Sequence, residues 1–115
     1  MEIEIKRYSI DSIINLIMTK YNREYLEKEY KRVSNELGSS GIIKRFQNHC
    51  YLRMANDLAT GSKWTDVVNK PFVKNATDIQ LQKSVETLWQ MQNDHRSIDI
   101  LNMYSLHKRN KLTKL

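Results

Sequence analysis

The sequence predicts an all-α protein, a small bundle of about four to five helices with a short extended arm at its N-terminus. The 115 residues include only 3 Gly and 1 Pro, too few turn-formers for a many-stranded sheet. Apolar residues recur at spacings of three and four, which is the period of an amphipathic helix. With 40% hydrophobic residues the chain can bury one modest core. We therefore predict one helical domain over residues 1–115, with an N-terminal arm and helix (1–38) and a basic helical core (39–115).

The first residues form the predicted arm. Ile3 and Ile5 alternate with acidic side chains, which is typical of a short strand or an extended segment. A single strand is not stable alone, so it needs a partner. That partner is the 71–73 segment, a second copy of the chain, or the sheet edge of another protein.

The next stretch, residues 11–37, has helical spacing. Asp11 is a suitable N-cap, because its carboxylate can accept a free backbone N–H of the first turn. Asn22 is a candidate interruption, so the pattern leaves open whether there is one helix or two. The Gly/Ser tract at 38–41 predicts a helix–helix turn.

A central helix is predicted over residues 42–60. Serines at 39 and 40 offer a start, and Gly61 offers a stop because glycine readily adopts the left-handed conformation. Five apolar residues at spacings of three and four predict the buried stripe. They are Ile43, Phe46, Cys50, Met54 and Leu58.

A second, polar stripe runs beside it at a spacing of four. It contains His49, Arg53 and Asp57, and the last two can form an ion pair. One interpretation is a solvated flank of the helix. The other is a binding surface with an imidazole, a guanidinium and a carboxylate, which Trp64 could close from beyond the helix end.

The chain after Gly61 predicts shorter elements. Residues 63–68 favour a short helix, and residues 71–74 favour an extended segment after Pro71. The region from Leu58 to Val67 weakly resembles a helix-turn-helix with Gly61 in the turn, although that motif expects a small residue where Asp57 stands.

Two helices are predicted in the last third. Thr77 and Gln80 match a capping box, which predicts a helix from there to about Gln92. Residues 93–95 are a predicted break, and residues 97–109 a final helix. The basic end at 107–114 is predicted to fray.

The charge is unevenly distributed along the chain. Residues 1–40 contain 7 Lys/Arg and 7 Asp/Glu, whereas residues 41–115 contain 12 and 6, so the net charge of +6 lies entirely in the second part. This excess indicates a polyanionic partner, or ordinary solubility charge. The residues predicted to contact a nucleic-acid or protein partner are Lys44, Arg45, His49, Arg53, Asp57, Lys63, Trp64, Lys108, Arg109 and Lys111.

Several classes of site are absent from the sequence. It has no Gly-rich phosphate loop and no Cys/His cluster with zinc spacing, so we predict neither a cofactor nor a metal. Cys50 is the only cysteine, which fits a reducing, cytoplasmic setting. No apolar run approaches the roughly 20 residues of a membrane span, so we expect no membrane partner.

One run of residues resembles a known group. Its members are Phe46, Asn48, His49, Tyr51, Arg53, Ala55 and Asp57, then Gly61, Trp64, Pro71, Phe72 and Lys74. Over residues 46–92 this pattern is similar to short, mostly uncharacterised bacterial and phage proteins. Some of those are loosely labelled acetyltransferases, enzymes that bind a coenzyme pyrophosphate on a Gly-rich loop between strands. The present sequence has neither feature, so the resemblance implies a small accessory protein and no particular reaction.

Three functions follow from these patterns. We favour a non-catalytic regulatory protein of phage or mobile-element type that acts on nucleic acid or a nucleoprotein complex through a basic helical surface. The alternative is a protein–protein inhibitor or an oligomerising module, for example a homodimer formed through Ile3 and Ile5. The third is a small enzyme that uses His49, Arg53 and Asp57.

Overall fold

The computed structural model describes residues 21–111. These residues form five α-helices and one 3-10 helix, and no strand occurs among them. The elements are α1 (Arg23–Ser40), α2 (Asn48–Thr60), η1 (Trp64–Asp66), α3 (Phe72–Asn75), α4 (Asp78–Asn93) and α5 (Arg96–Lys108). The predicted all-α class is therefore confirmed. The predicted arm with Ile3 and Ile5, and the predicted helix that starts at Asp11, lie outside the described residues.

The first described helix, α1, begins directly after the candidate interruption at Asn22 and extends beyond its predicted end near residue 37. Asn22 is its N-cap, because the Asn22 side chain accepts a hydrogen bond of 2.8 Å from the backbone N–H of Tyr25. The helix continues through the tract predicted as a turn and stops at Gly41, which has a φ of 70°. Gly38 lies inside the helix where α1 crosses α2. A Cβ there would lie only 2.6 Å from the backbone N of Asn48, so glycine permits this close approach.

The central helix, α2, is shorter than predicted. It begins at Asn48, and the residues before it form a turn in which the Phe46 N–H donates to the Ile43 carbonyl. The stop at Gly61 is confirmed, because Gly61 has a φ of 70° and its N–H donates to the carbonyls of Asp57 and Leu58.

The buried surface of α2 also differs from the predicted stripe. The helix contacts α1, α4 and α5, so it is covered on most of its circumference. Its buried apolar residues are Tyr51, Met54, Ala55 and Ala59. Leu58, predicted to be buried, is 38% exposed, whereas Asp57, predicted on the flank, is completely buried. Because three helices pack against α2, its buried residues lie on several of its faces and not on the single predicted apolar stripe.

The segment between α2 and α4 corrects two predictions. The helix predicted over residues 63–68 is a single 3-10 turn, so the segment lacks the second helix of a helix-turn-helix. The segment predicted as extended after Pro71 is the one-turn helix α3. Its Phe72 is buried and stacks on the ring of Tyr30 with a centroid distance of 5.9 Å. This burial stabilises a turn that local sequence alone does not favour.

The two helices predicted in the last third are confirmed. Thr77 and Gln80 form the capping box, with the Gln80 N–H 3.1 Å from the Thr77 hydroxyl and the Thr77 N–H 2.9 Å from the Gln80 side chain. Helix α4 ends with Asp94 as its C-cap, and α5 follows. Among residues 21–111, every helix is too short or too polar to cross a membrane.

A polar network lies inside the bundle. Asn56 donates to the hydroxyl of Tyr30 at 2.9 Å and accepts from the hydroxyl of Ser84 at 2.7 Å, which links α1, α2 and α4. Burial raises the pKa of Tyr30 to about 12, and the hydrogen bond with Asn56 opposes this shift. Such a network holds the three helices in one register, because buried polar groups need their partners.

Candidate nucleic-acid interface

Asp57 is the anchor of the candidate site. Its carboxylate is completely buried and accepts four hydrogen bonds. Arg109 donates two of them, from Nε to Oδ2 at 2.7 Å and from Nη2 to Oδ1 at 3.0 Å. The Ser105 hydroxyl donates at 2.6 Å and the Trp64 backbone N–H at 2.9 Å. A buried charge is tolerated when it is paired and fully hydrogen-bonded, so this carboxylate joins the ends of α2 and α5 to the loop before η1.

Arg53 belongs to the same cluster but does not pair with Asp57 directly. Its Nη1 donates to the Ser105 hydroxyl at 2.7 Å, and its Nη2 donates to Asn102 Oδ1 at 2.8 Å. Ser105 therefore stands between the guanidinium and the carboxylate. Burial lowers the pKa of Arg53, and the nearby positive charge of Arg109 lowers it further. With two guanidiniums and one carboxylate, the cluster carries an excess of positive charge.

Trp64 lies beside this cluster, as expected, but its ring has a packing role. Its indole meets the ring of Phe72 edge-on, at a centroid distance of 5.5 Å and an interplanar angle of 85°. The side chain is half-buried. Trp64 therefore attaches the loop after α2 to the core, and its backbone N–H reaches Asp57.

Three exposed lysines are close in sequence to the groups that bind Asp57. Lys63 precedes Trp64, Lys108 precedes Arg109, and Lys111 follows shortly after. Within residues 21–111, none of the three forms an ion pair with a carboxylate. The ammonium of Lys108 lies 5.3 Å from the ring centroid of Tyr104. We call Lys63, Lys108, Lys111 and the anchored Arg109 the basic end.

The backbone of the basic end is ordered by a Schellman motif at the end of α5. Asn110 has a φ of 57°, the Asn110 N–H donates to His107, and the Lys111 N–H donates to the Leu106 carbonyl at 2.8 Å. The fraying predicted over residues 107–114 stays a prediction: residues 107–111 have regular backbone hydrogen bonds, and residues 112–114 lie outside the described residues. Asparagine adopts the left-handed conformation more readily than most residues, so its position after a basic last turn was a usable signal.

The remaining predicted contacts lie at the other end of α2. Lys44 and Arg45 precede the helix, His49 lies in its first turn, and all three are exposed. The guanidinium of Arg45 lies 4.7 Å from the ring centroid of Phe46. His49 and Asp57 are eight residues apart, or about 12 Å along the helix axis. The structure therefore divides the ten predicted residues into two groups and does not unite them in one patch.

The Asp57 cluster consists of charged and polar side chains that are hydrogen-bonded to one another, and it is suited to binding more than to catalysis. The four acceptor interactions of Asp57 are with protein donors, and His49 lies about two turns away. Within residues 21–111, no three His, Cys, Asp or Glu side chains gather closely enough to hold a metal ion. Sequence reasoning missed the bridging roles of Ser105 and Asn102, since both lie about fifty residues from their partners.

Comparisons of this chain with protein-family models, with curated proteins and with solved structures gave no match.

Proposed function

We propose that the protein is a non-catalytic regulatory protein that binds nucleic acid, free or in a nucleoprotein complex, through the basic end. The observation that carries the proposal is a set of three exposed lysines, free of carboxylate partners in the described chain, in the two segments that the buried Asp57 carboxylate holds through Arg109 and the Trp64 N–H. Nucleic-acid backbones are polyanions, and lysines gain affinity there by neutralising phosphates and releasing counterions.

The anchoring of these lysines supports the proposal. Lys108 and Lys111 are attached to a helix end that Asp57 and the Schellman motif fix, and Lys63 is attached to a loop that the same carboxylate fixes. Backbone that is already ordered loses less conformational entropy when a ligand binds. Arg53 of α2 gives a second reason. Its guanidinium is hydrogen-bonded to Ser105 and Asn102 of α5, and its positive charge raises the local electrostatic potential that attracts a phosphate.

The charge pattern of α1 points to the same surface by contrast. Each of its four glutamates forms an ion pair with a basic residue of the same helix. Those pairs compensate one another, so α1 offers little net attraction to a polyanion. Residues 21–40 carry as many basic as acidic side chains, so the net positive charge of the described chain lies after residue 40.

The test compares two double variants with the same change in charge. Lys108→Glu with Lys111→Glu alters the basic end, and Lys44→Glu with Arg45→Glu alters the opposite end of α2. Fluorescence anisotropy would measure the affinity for duplex DNA, single-stranded DNA and RNA at several salt concentrations. For duplex DNA, log affinity decreases with log salt concentration, and the magnitude of this slope should be smaller by about 2 in the first variant and unchanged in the second.

Two results would overturn the proposal. One is the absence of binding to all three nucleic acids at low salt. The other is an equal loss of affinity in both double variants, which would mean that total charge matters and that the basic end does not. Circular dichroism on each variant would establish that the fold is intact before affinities are compared.

A further inference from the structure

The C-terminal half of α5 carries aromatic and basic side chains on its outward side. Tyr104, His107 and Lys108 are three and four residues apart, so they lie within about 100° of one another around the helix axis. His107 and Lys108 are exposed, and Tyr104 is half-buried. The completely buried residues of this helix, Ile98 and Ser105, face the bundle. We call Tyr104, His107 and Lys108 the outer face of α5.

The ring of Tyr104 has one face that only a lysine covers. The ammonium of Lys108 lies over this ring, 5.3 Å from its centroid. In the part of the chain that the structure describes, no other aromatic ring contacts Tyr104, and Lys108 has no carboxylate partner. A cation–π contact at a solvent-accessible site is weak, so the ammonium can leave the ring for a stronger partner.

Single-stranded nucleic acid offers both of the groups that this face can bind. Its unpaired bases have flat surfaces that stack on aromatic side chains, and its phosphates attract ammonium groups. When a base replaces the ammonium over the ring of Tyr104, Lys108 becomes available to a neighbouring phosphate. In a duplex the bases stack on one another, so a side chain at the surface reaches only phosphates and the edges of bases in the grooves.

A second exposed tyrosine lacks this combination of groups. Tyr25 on α1 is 44% exposed, but its ring packs against the ring of Tyr21 with a centroid distance of 5.6 Å. The lysine one turn further along α1, Lys28, forms an ion pair with Glu24 at 3.5 Å. Tyr25 therefore provides an aromatic ring whose neighbouring lysine is already paired, which makes it a matched control for Tyr104.

We propose that the ligand of the basic end is single-stranded nucleic acid, with one base stacked on Tyr104 and phosphates bound by Lys108 and Lys111. This inference rests on the proposed nucleic-acid function and names the form of nucleic acid that the same site binds. Single-stranded DNA and RNA share this chemistry, so both are included in the test.

Fluorescence anisotropy at one salt concentration tests the proposal with four probes that have equal numbers of phosphates. They are a thymine DNA oligomer, a uracil RNA oligomer, an abasic DNA oligomer and a DNA hairpin duplex. The unmodified protein should bind the thymine oligomer at least about fivefold more tightly than the abasic one, because only the former has bases to stack.

The variants assign this difference to one ring. Tyr104→Leu should weaken binding of the thymine and uracil oligomers by about fivefold or more, and should change the affinities for the abasic oligomer and the duplex by less than about twofold. Tyr104→Trp should keep the affinity for single strands, because an indole also stacks on bases. Tyr25→Leu should leave all four affinities unchanged.

The outcomes distinguish this inference from the function on which it rests. Absence of binding to every probe overturns both. Equal affinity for the thymine and abasic oligomers, or single-strand affinities that Tyr104→Leu leaves unchanged, overturns the stacked base and leaves phosphate binding by the basic end in place. A loss in Tyr104→Leu that extends equally to the duplex shows a structural role for Tyr104, and it also overturns the inference.

Discussion

Both ends of α2 carry exposed positive charge, but the charge is attached to the fold differently. At the N-terminal end, Lys44 and His49 project from the surface, and Arg45 contacts the ring next to it in sequence. At the C-terminal end, a buried carboxylate holds Arg109, and the lysines are carried by segments that this carboxylate fixes. The contrast shows that a count of basic residues cannot separate cations that complete the fold from cations that face solvent.

The largest expected effect comes from the anchor. Asp57→Ala leaves the guanidinium of Arg109 half-buried without its partner, so the free energy of unfolding should fall by about 3–5 kcal/mol. Asp66→Ala is the control, because Asp66 is exposed, and its effect should stay within about 0.5 kcal/mol. Urea denaturation measures both.

A double variant sharpens this result. Asp57→Ala combined with Arg109→Met removes both charges, so its cost should be at least about 1 kcal/mol below the sum of the two single effects. If the losses of unfolding free energy in the two single variants simply add, Asp57 and Arg109 are not energetically coupled. The C-terminal end of α2 would then differ little from its N-terminal end.

The second prediction concerns the effect of alkaline pH on the buried Tyr30–Asn56 contact. Asn56 directly precedes Asp57, so this contact lies next to the anchored end of α2. Tyr30 has a folded-state pKa of about 12 in place of the usual 10. Between these values the folded state keeps a proton that the unfolded state has lost. The free energy of unfolding should therefore fall by about 2–3 kcal/mol as the pH rises from 10 to 12.

Tyr30→Phe isolates this contribution, because the two proteins differ only in the Tyr30 hydroxyl. Its unfolding free energy should decline less steeply over the same range in parallel urea titrations. Identical slopes in both proteins would mean that Tyr30 ionises without regard to folding.

The third prediction concerns the Schellman motif. Asn110→Ala places a β-carbon in the left-handed region and should cost about 1 kcal/mol, whereas Asn110→Gly should change stability by less than about 0.5 kcal/mol. Asn93→Ala, at the end of α4, is the control. Thermal denaturation would measure all three, and an Ala variant as stable as the Gly variant would contradict the assigned role of Asn110.

The smallest effect is expected at the opposite end of α2. His49→Ala removes an exposed side chain, so stability should change by less than about 0.5 kcal/mol. Nucleic-acid affinity should also stay within about twofold, since the side chain lies about 12 Å along α2 from the anchor. A large loss of affinity in the anisotropy assay would move the interface to this end.

The sequence predicted the parts of the fold that depend on local signals. The capping box at Thr77 and the stop at Gly61 act through neighbouring backbone groups, so they can be recognised without tertiary information. The burial of Asp57 could not be recognised in this way, because its ion-pair partner lies 52 residues further along the chain. Residues four apart in a helix can form an ion pair, which predicts one between Arg53 and Asp57. In the structure, the Ser105 hydroxyl lies between these two side chains and hydrogen-bonds to both.

The one-turn helix α3 shows a second limit. Local preference after Pro71 favours extended backbone, but Phe72 is buried against Tyr30 and Trp64. The gain from that burial decides the conformation, and it depends on residues that sequence neighbours do not reveal.

The long separation of Asp57 from its counter-ion has a consequence for biosynthesis. While the polypeptide emerges from the ribosome, α1 and α2 become available well before Arg109 does. Burying a lone carboxylate during that interval would cost several kcal/mol. The interior around α2 should therefore close only once α5 has been made, and a nascent chain stalled before that point would keep its central helix open to water.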